Sequence, residues 1–107
     1  MYSIQIGFQL SNTAAADDDF TVWVRKNGVD VPNSAYIQSV PSSHGATNGH
    51  TALSFSDQFS LAADDYLEFY WTTDSGTSSI VAYNSGVVPT HPNSPSVIVT
   101  SQFISAT

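Results

Sequence analysis

Residues 20–31 read Phe-Thr-Val-Trp-Val-Arg-Lys-Asn-Gly-Val-Asp-Val. Phe20, Val22 and Val24 alternate with Thr21, Trp23 and Arg25, the two-residue period of a strand with one face turned to a core. Asn27-Gly28 follows directly on Lys26. These two residues accept the positive φ angles that a type I′ turn needs at its central positions, so the stretch predicts a tight hairpin returning through Val29 to Val31 and ending at Pro32. An isolated hairpin is at best marginally stable in water, so further strands of the same period are required.

The rest of the chain supplies them. Tyr2, Ile4, Ile6, Phe8 and Leu10 are spaced by Ser3, Gln5, Gly7 and Gln9, which predicts a long half-buried strand. Ser11 to Asp19 is a polar connection ending in three aspartates. Ala35 to Val40 is a short strand closed by Pro41, and Ser42 to Gly49 is a loop of small polar residues with His44 and Asn48. Thr51 to Leu61 alternates again, with Leu53, Phe55, Phe59 and Leu61 on one face; Asp57 falls on that same face and predicts a bulge or bend. Tyr66 to Thr73 is apolar on both faces. Ser79 to Tyr83 is a strand, Asn84 to Ser94 a loop carrying Pro89 and Pro92, and Ser96 to Ile104 a last strand rich in β-branched residues. No helix-length segment has a 3.6-residue period. Seven or eight short strands between Gly, Pro and Asn turns predict an all-β sandwich or barrel, one domain over residues 1–107.

Composition excludes several functions. Lys and Arg number 2 against 9 Asp and Glu, for a formal net charge of -7. A groove that tracks phosphates needs several cations, so nucleic acid is not an expected partner, nor is an anionic membrane surface. The chain has no cysteine, which removes disulfides, zinc-thiolate sites and cysteine nucleophiles. No signal-peptide pattern opens the sequence, and no apolar run approaches the roughly 20 residues of a spanning helix. Charged residues make up only 10% of the chain, which leaves much surface free for contacts with other proteins.

The two-sided segment is the most informative for function. Leu67, Phe69 and Trp71 lie on one face of Tyr66–Thr73, and Tyr66 and Tyr70 on the other; Trp23 similarly opposes the Phe20, Val22, Val24 face. Aromatic residues on an outer face of a small domain point to a protein interface, so Trp23, Tyr66, Phe69, Tyr70 and Trp71 are the expected core or interface anchors. Periodicity alone does not assign the faces.

Three strings together resemble jelly-roll domains of tailed, often marine, bacteriophage virion proteins: Val22 to Ser34, Asp64 to Asp74 (Asp-Asp-Tyr-Leu-Glu-Phe-Tyr-Trp-Thr-Thr-Asp), and Pro95 to Thr100. His44-Gly45 and Asn48-Gly49-His50 lie between them, so the likeness covers most of the chain. Such domains resemble the tumour necrosis factor and complement globular-head fold, a ten-strand jelly roll that assembles as a trimer. The resemblance implies a capsid decoration protein or the knob of a fibre, on the outer surface of the particle, with the major capsid protein or other virion proteins as partners. It also implies further strands before the segment matching Tyr2 to Leu10, either missing here, supplied by a neighbour or replaced by a partner protein.

No chemistry-bearing motif stands out. His44, His50 and His91 match no local metal-ligand spacing and read as exposed loop residues. Asp17, Asp18 and Asp19 lack the spaced ligands of a calcium loop; consecutive residues of an extended chain point in opposite directions, so they read as a solvated acidic turn, as do Asp64 and Asp65. Glu68 is the only glutamate, and glycoside hydrolysis needs a second carboxylate at a set separation. No Gly-x-Ser-x-Gly elbow or phosphate loop is present. The expectation is a non-enzyme with no cofactor and no metal. Arg25 and Lys26, at the hairpin tip, are candidates for a salt bridge to an aspartate of a neighbouring subunit. The rival function is a carbohydrate-binding module at a fibre tip, contacting a host surface glycan through the Ser42–Gly49 and Asn84–Ser94 loops, with His44, Asn48, His50, Asn84 and His91 as candidate contacts.

Overall fold

The computed structural model describes residues 1–83, 86–87 and 90–105. Among these residues ten strands follow one another: β1 (Tyr2–Asn12), β2 (Asp18–Lys26), β3 (Val29–Asp30), β4 (Tyr36–Val40), β5 (Gly49–Phe59), β6 (Leu67–Thr73), β7 (Ser78–Ile80), β8 (Gly86–Val87), β9 (Thr90–His91) and β10 (Val97–Phe103). No helix occurs among the described residues. The fold is all-β, as the periodicity predicts.

Two antiparallel sheets carry the structure. In the first, β1 is central, with β5 along its whole length on one side. Its other side pairs with β10 from Tyr2 to Phe8 and with β7 from Leu10 to Asn12. In the second, β2 is central, with β6 on one side and β4 and β3 on the other. Cross-strand partners share a face, so register assigns what periodicity left open. Val22 is opposite Tyr36 on one side and Trp71 on the other, and Val24 is opposite Phe69. Leu67, Phe69 and Trp71 therefore face the core side, and Glu68, Tyr70 and Thr72 the outside.

The inner faces share one core, the arrangement of a β-sandwich. Ile6, Phe8, Leu10 and Leu53 of the first sheet pack on Phe20, Val22 and Val40 of the second, while Ile4, Val24 and Phe59 continue the core at the other end. Phe8 and Phe20 meet across the layers with ring centroids 5.8 Å apart. The hairpin turn is as predicted: Asn27 has φ 53° and Gly28 φ 82°. Gly49 begins β5 where a Cβ would sit 1.8 Å from the Pro41 carbonyl oxygen, so only glycine fits there.

Two expectations are corrected. No bulge forms at Asp57: the β1–β5 register is unbroken from Tyr2↔Phe59 to Asn12↔Gly49, and Asp57 sits opposite Ile4. β5 is an edge strand among the described residues, so Asp57 is only half-buried, and its Oδ1 accepts the Gln58 N–H at 2.9 Å. Within the 84–94 stretch read as a loop, β8 and β9 form a short ladder, Gly86↔His91 and Val87↔Thr90.

The core makes a direct prediction. Phe20 is fully buried, so Phe20→Ala should lower stability by about 3–5 kcal/mol, whereas Val29→Ala, at a site 69% exposed, should stay within about 0.5 kcal/mol. Denaturant unfolding of both variants measures the difference.

Candidate functional site

The alternation of β2 places Trp23 and Arg25 on the outer face of the second sheet, beside Tyr70 of β6. Trp23 and Tyr70 are register partners with centroids 6.0 Å apart, and the Arg25 guanidinium lies 4.0 Å from the Tyr70 ring centroid. Asp30, across the hairpin from Arg25, ties the group together. Its Oδ1 accepts both the Trp23 indole N–H at 3.0 Å and the Arg25 Nε–H at 2.6 Å. That hydrogen bond and charge hold Arg25 more firmly protonated than a free arginine. An open depression of about 250 Å³ beside this group is lined by Trp23, Asp30, Asn33 and Ala35. A larger one, about 400 Å³, lies on the outer face of the first sheet, where Gly7 leaves room between Gln5, Ser54 and Ile98.

The hairpin tip is clamped to the turn before β6. Lys26 Nζ donates to the Ser60 carbonyl at 2.9 Å and lies 3.6 Å from Asp65. Asn27 Nδ2 donates to Asp65 at 2.9 Å, the Ala62 N–H donates to its other oxygen at 2.7 Å, and the Asn27 side-chain Oδ1 accepts the Tyr66 N–H at 3.0 Å. The Asn27 side chain, then the Ala62 amide, hold Asp65 below the usual carboxylate range, with Lys26 adding to the effect. Both cations thus have partners within the chain, Arg25 with Asp30 and Lys26 with Asp65.

The other anchors separate. Tyr66 is 53% exposed at the clamp, and Phe69 lies half-buried on the core side, 6.4 Å from Phe55. Trp71 stacks on Phe20 at 5.4 Å yet remains 44% exposed, because β6 is an edge strand. His44 closes a small loop by pairing with Thr47, His50 is exposed with its ring 6.4 Å from that of Tyr83, and exposed His91 has Nδ1 2.8 Å from the Pro92 carbonyl. Asn48 is exposed; Asn84 lies outside the described residues. Among the described residues no three His, Cys, Asp or Glu side chains are grouped to hold a metal. Glu68 is half-buried on the outer face, in register with Arg25.

The acidic stretch 17–19 is not a uniformly solvated turn. Asp18 is only 2% exposed, and its oxygens accept the N–H groups of Ser75 and Ser78 at 2.9 and 3.1 Å and the Thr77 hydroxyl at 3.3 Å. Asn12, also buried, donates to the Ala16 and Val40 carbonyls and accepts from Thr77. Burial by itself would raise the Asp18 pKa, but the donors from Ser75, Ser78 and Thr77 outweigh it and hold the carboxyl below its ordinary value. Periodicity could not show this, because the donors lie about sixty residues away.

A second surface escaped the sequence reading. Every residue of β10 is exposed, including Val97 at 39%, Ile98 at 57%, Val99 at 53% and Phe103 at 57%. The signal was present in the apolar residues on both faces of that strand.

Comparison with known proteins finds no matching family model, no matching curated protein and no matching solved structure. Fold and surface together define a class: an all-β protein of two antiparallel sheets, with an aromatic outer face and an uncovered apolar strand.

Asp18 sets a pH dependence. A depressed folded pKa stabilises above the unfolded value of about 3.9 and is lost as pH falls through the lower folded value. Stability should therefore fall on acidification below about pH 4. Asp18→Asn should be about 1–3 kcal/mol less stable at neutral pH and lose less in the acid window, as measured by denaturation at several pH values.

Proposed function

We propose that this protein is a structural component of a tailed-phage virion, an exterior capsid decoration protein or fibre knob, and that it adopts a tumour-necrosis-factor-like jelly roll and associates as a homotrimer. The observation that carries the reading is the amount of aromatic and apolar side chain left at the surface of a charge-poor chain: Trp71, Tyr66, Tyr70, and the whole of β10. Such surface on a small domain is stabilised by burial against other protein. The chain path supports the jelly roll: β1 to β2, β4 to β5, β5 to β6 and β6 to β7 each pass from one sheet to the other. The sequence likeness to phage virion domains supports the location, outside the particle and away from the packaged genome, where an acidic chain meets no phosphate.

In this reading Trp23, Tyr66 and Tyr70 supply intersubunit contact from the outer face, and Phe69 and Trp71 support them from the core side. Arg25 and Lys26 would reach a neighbouring subunit's aspartate only by exchanging partners with Asp30 and Asp65. The major capsid protein or another virion protein is the docking partner. The role requires no catalytic group, cofactor or metal.

One observation favours a second reading, a carbohydrate-binding module at a fibre tip. The Trp23–Tyr70 pair with Asp30 and the adjoining depression offers a stacking face beside a hydrogen-bond acceptor, on a sheet instead of the 42–49 and 84–94 loops. Copy number in purified virions separates the readings. A decoration protein is present in proportion to capsomers, and a tip module in few copies with affinity for host glycans. A monomeric protein absent from virions would overturn both. In light scattering the isolated chain should have three times the chain mass, and Trp23→Ala with Tyr70→Ala should shift it toward monomer without loss of the β circular-dichroism signal.

A further inference from the structure

We propose that Asn27 is a site of spontaneous deamidation, that the clamp at Asp65 and Tyr66 holds the reaction in check, and that conversion of Asn27 to aspartate or isoaspartate unfastens the hairpin tip in one direction only. This inference goes beyond the virion reading and stands whether or not that reading holds.

The reaction needs no partner but water. The Gly28 nitrogen attacks Cγ of the Asn27 carboxamide, so an N–Cγ bond forms and the Cγ–Nδ2 bond breaks. Nδ2 leaves as ammonia, with the proton that the Gly28 nitrogen gives up, and a succinimide ring remains. Water then opens the ring at either carbonyl. One opening leaves aspartate; the other leaves isoaspartate, with the main chain running through the side-chain carbon. Asparagine is thermolabile, and before glycine no side chain hinders the attacking nitrogen.

The chain carries two such pairs, Asn27-Gly28 and Asn48-Gly49, and the fold guards them in opposite ways. At Asn48-Gly49 the nitrogen is occupied. Gln9 turns its N–H to the Ser96 carbonyl and its carbonyl to the Val81 N–H, so by alternation Asn12 turns its backbone groups toward β5. Gly49 is the register partner of Asn12, so the Gly49 N–H is spent on the Asn12 carbonyl. At Asn27-Gly28 the nitrogen is free. Gly28 is exposed in the turn, and its N–H enters no backbone hydrogen bond among the described residues. Outside its chain neighbours, the nearest atom to a Cβ placed there is the Tyr66 hydroxyl, at 3.8 Å.

What is held at this pair is the carboxamide. Asn27 Nδ2 donates to Asp65 at 2.9 Å, and Oδ1 accepts the Tyr66 N–H at 3.0 Å. The Asn27 N–H donates to the Tyr66 carbonyl at 3.0 Å, which fixes the backbone beside it. Swinging Cγ onto the Gly28 nitrogen breaks both side-chain bonds. The reaction therefore runs from molecules whose clamp is open, at a rate scaled by their population.

The product does not close again. Aspartate at position 27 has no N–H to give Asp65, and it sets a second carboxylate where the donor stood. Like charges so close repel, and Lys26, 3.6 Å from Asp65, then serves two carboxylates instead of one. Isoaspartate adds a main-chain carbon to a turn built on φ angles of 53° and 82° at its two central residues. Ammonia is lost, so neither product reverts.

The test incubates the folded chain in mildly alkaline buffer, digests it, and follows by mass spectrometry the amide-to-acid mass gain at positions 27 and 48. The same chain unfolded in urea gives the unguarded rate, a comparison that depends on no variant. Asn27 should convert at least about tenfold more slowly in the folded chain. Asp65→Ala removes the acceptor of Nδ2 and should speed conversion of Asn27 about tenfold, with Asn48 unchanged. Lys26→Ala removes the charge pair but neither bond on the carboxamide, and should change the rate by less than about threefold. Converted molecules, separated by their added charge, should exchange the Tyr66 amide hydrogen at least about tenfold faster than unconverted ones. Four results would overturn the proposal: equal rates at Asn27 in the folded and unfolded chain, no acceleration by Asp65→Ala in a variant that keeps its β circular-dichroism signal, acceleration by Lys26→Ala as large as by Asp65→Ala, or unchanged exchange at Tyr66 in converted molecules.

Discussion

The contact between the inner faces of β1 and β2 is the constraint on which the rest of the structure depends. Leu10, Phe20 and Val22 are completely buried, and each lies on a strand that is paired on both sides. Once these two strands are stacked, their alternation dictates everything placed beside them. The residues of β6 in register with Val22 and Val24 must face inward, and those in register with Trp23 and Arg25 must face outward. The aromatic outer face is thus a consequence of core packing, because Trp23 stands outside by lying between two residues the core requires.

The two ends of the sandwich are held differently. At the end where β1 finishes, Asn12 and Asp18 are buried and satisfied by donors from Ser75, Thr77 and Ser78 and by backbone carbonyls. A buried carboxylate is tolerated only with such donors, so the segment before β7 has to lie there. At the other end the hairpin tip is held by Asn27, Lys26 and Asp65 at the surface, where solvent screens the charges and the geometry is set mainly by the hydrogen bonds. Between these ends no described strand pairs with the outer side of β6 or of β10, and apolar side chains of both strands meet solvent.

The fold was legible where local chemistry and period agree. The Asn27-Gly28 turn, the alternation of Tyr2 to Leu10 and that of Phe20 to Arg25 were each readable within a few residues, and each is found as read. The site was legible only in part. Trp23, Tyr66, Phe69, Tyr70 and Trp71 could be singled out as aromatic, but two inward-facing and three outward or turn residues look alike in a string that is apolar on both faces. Asp57 suggested a bulge because periodicity cannot tell an edge strand from a central one. Asp18 looked like its neighbours because its hydrogen-bond donors come from a distant segment.

The sequence by itself determined the all-β class, the strand order along the chain, the hairpin, and the exclusion of partners that need many cations. These follow from backbone preferences and from charge, which act over a few residues or over the composition as a whole. Only the tertiary structure decided which aromatic face is inside, that Asp18 is buried, that Arg25 and Lys26 are paired within the chain, and that the core side of β10 is uncovered. Each of these depends on which strands become neighbours. That is set by the joint burial of two central strands, to which residues far apart in the chain contribute together.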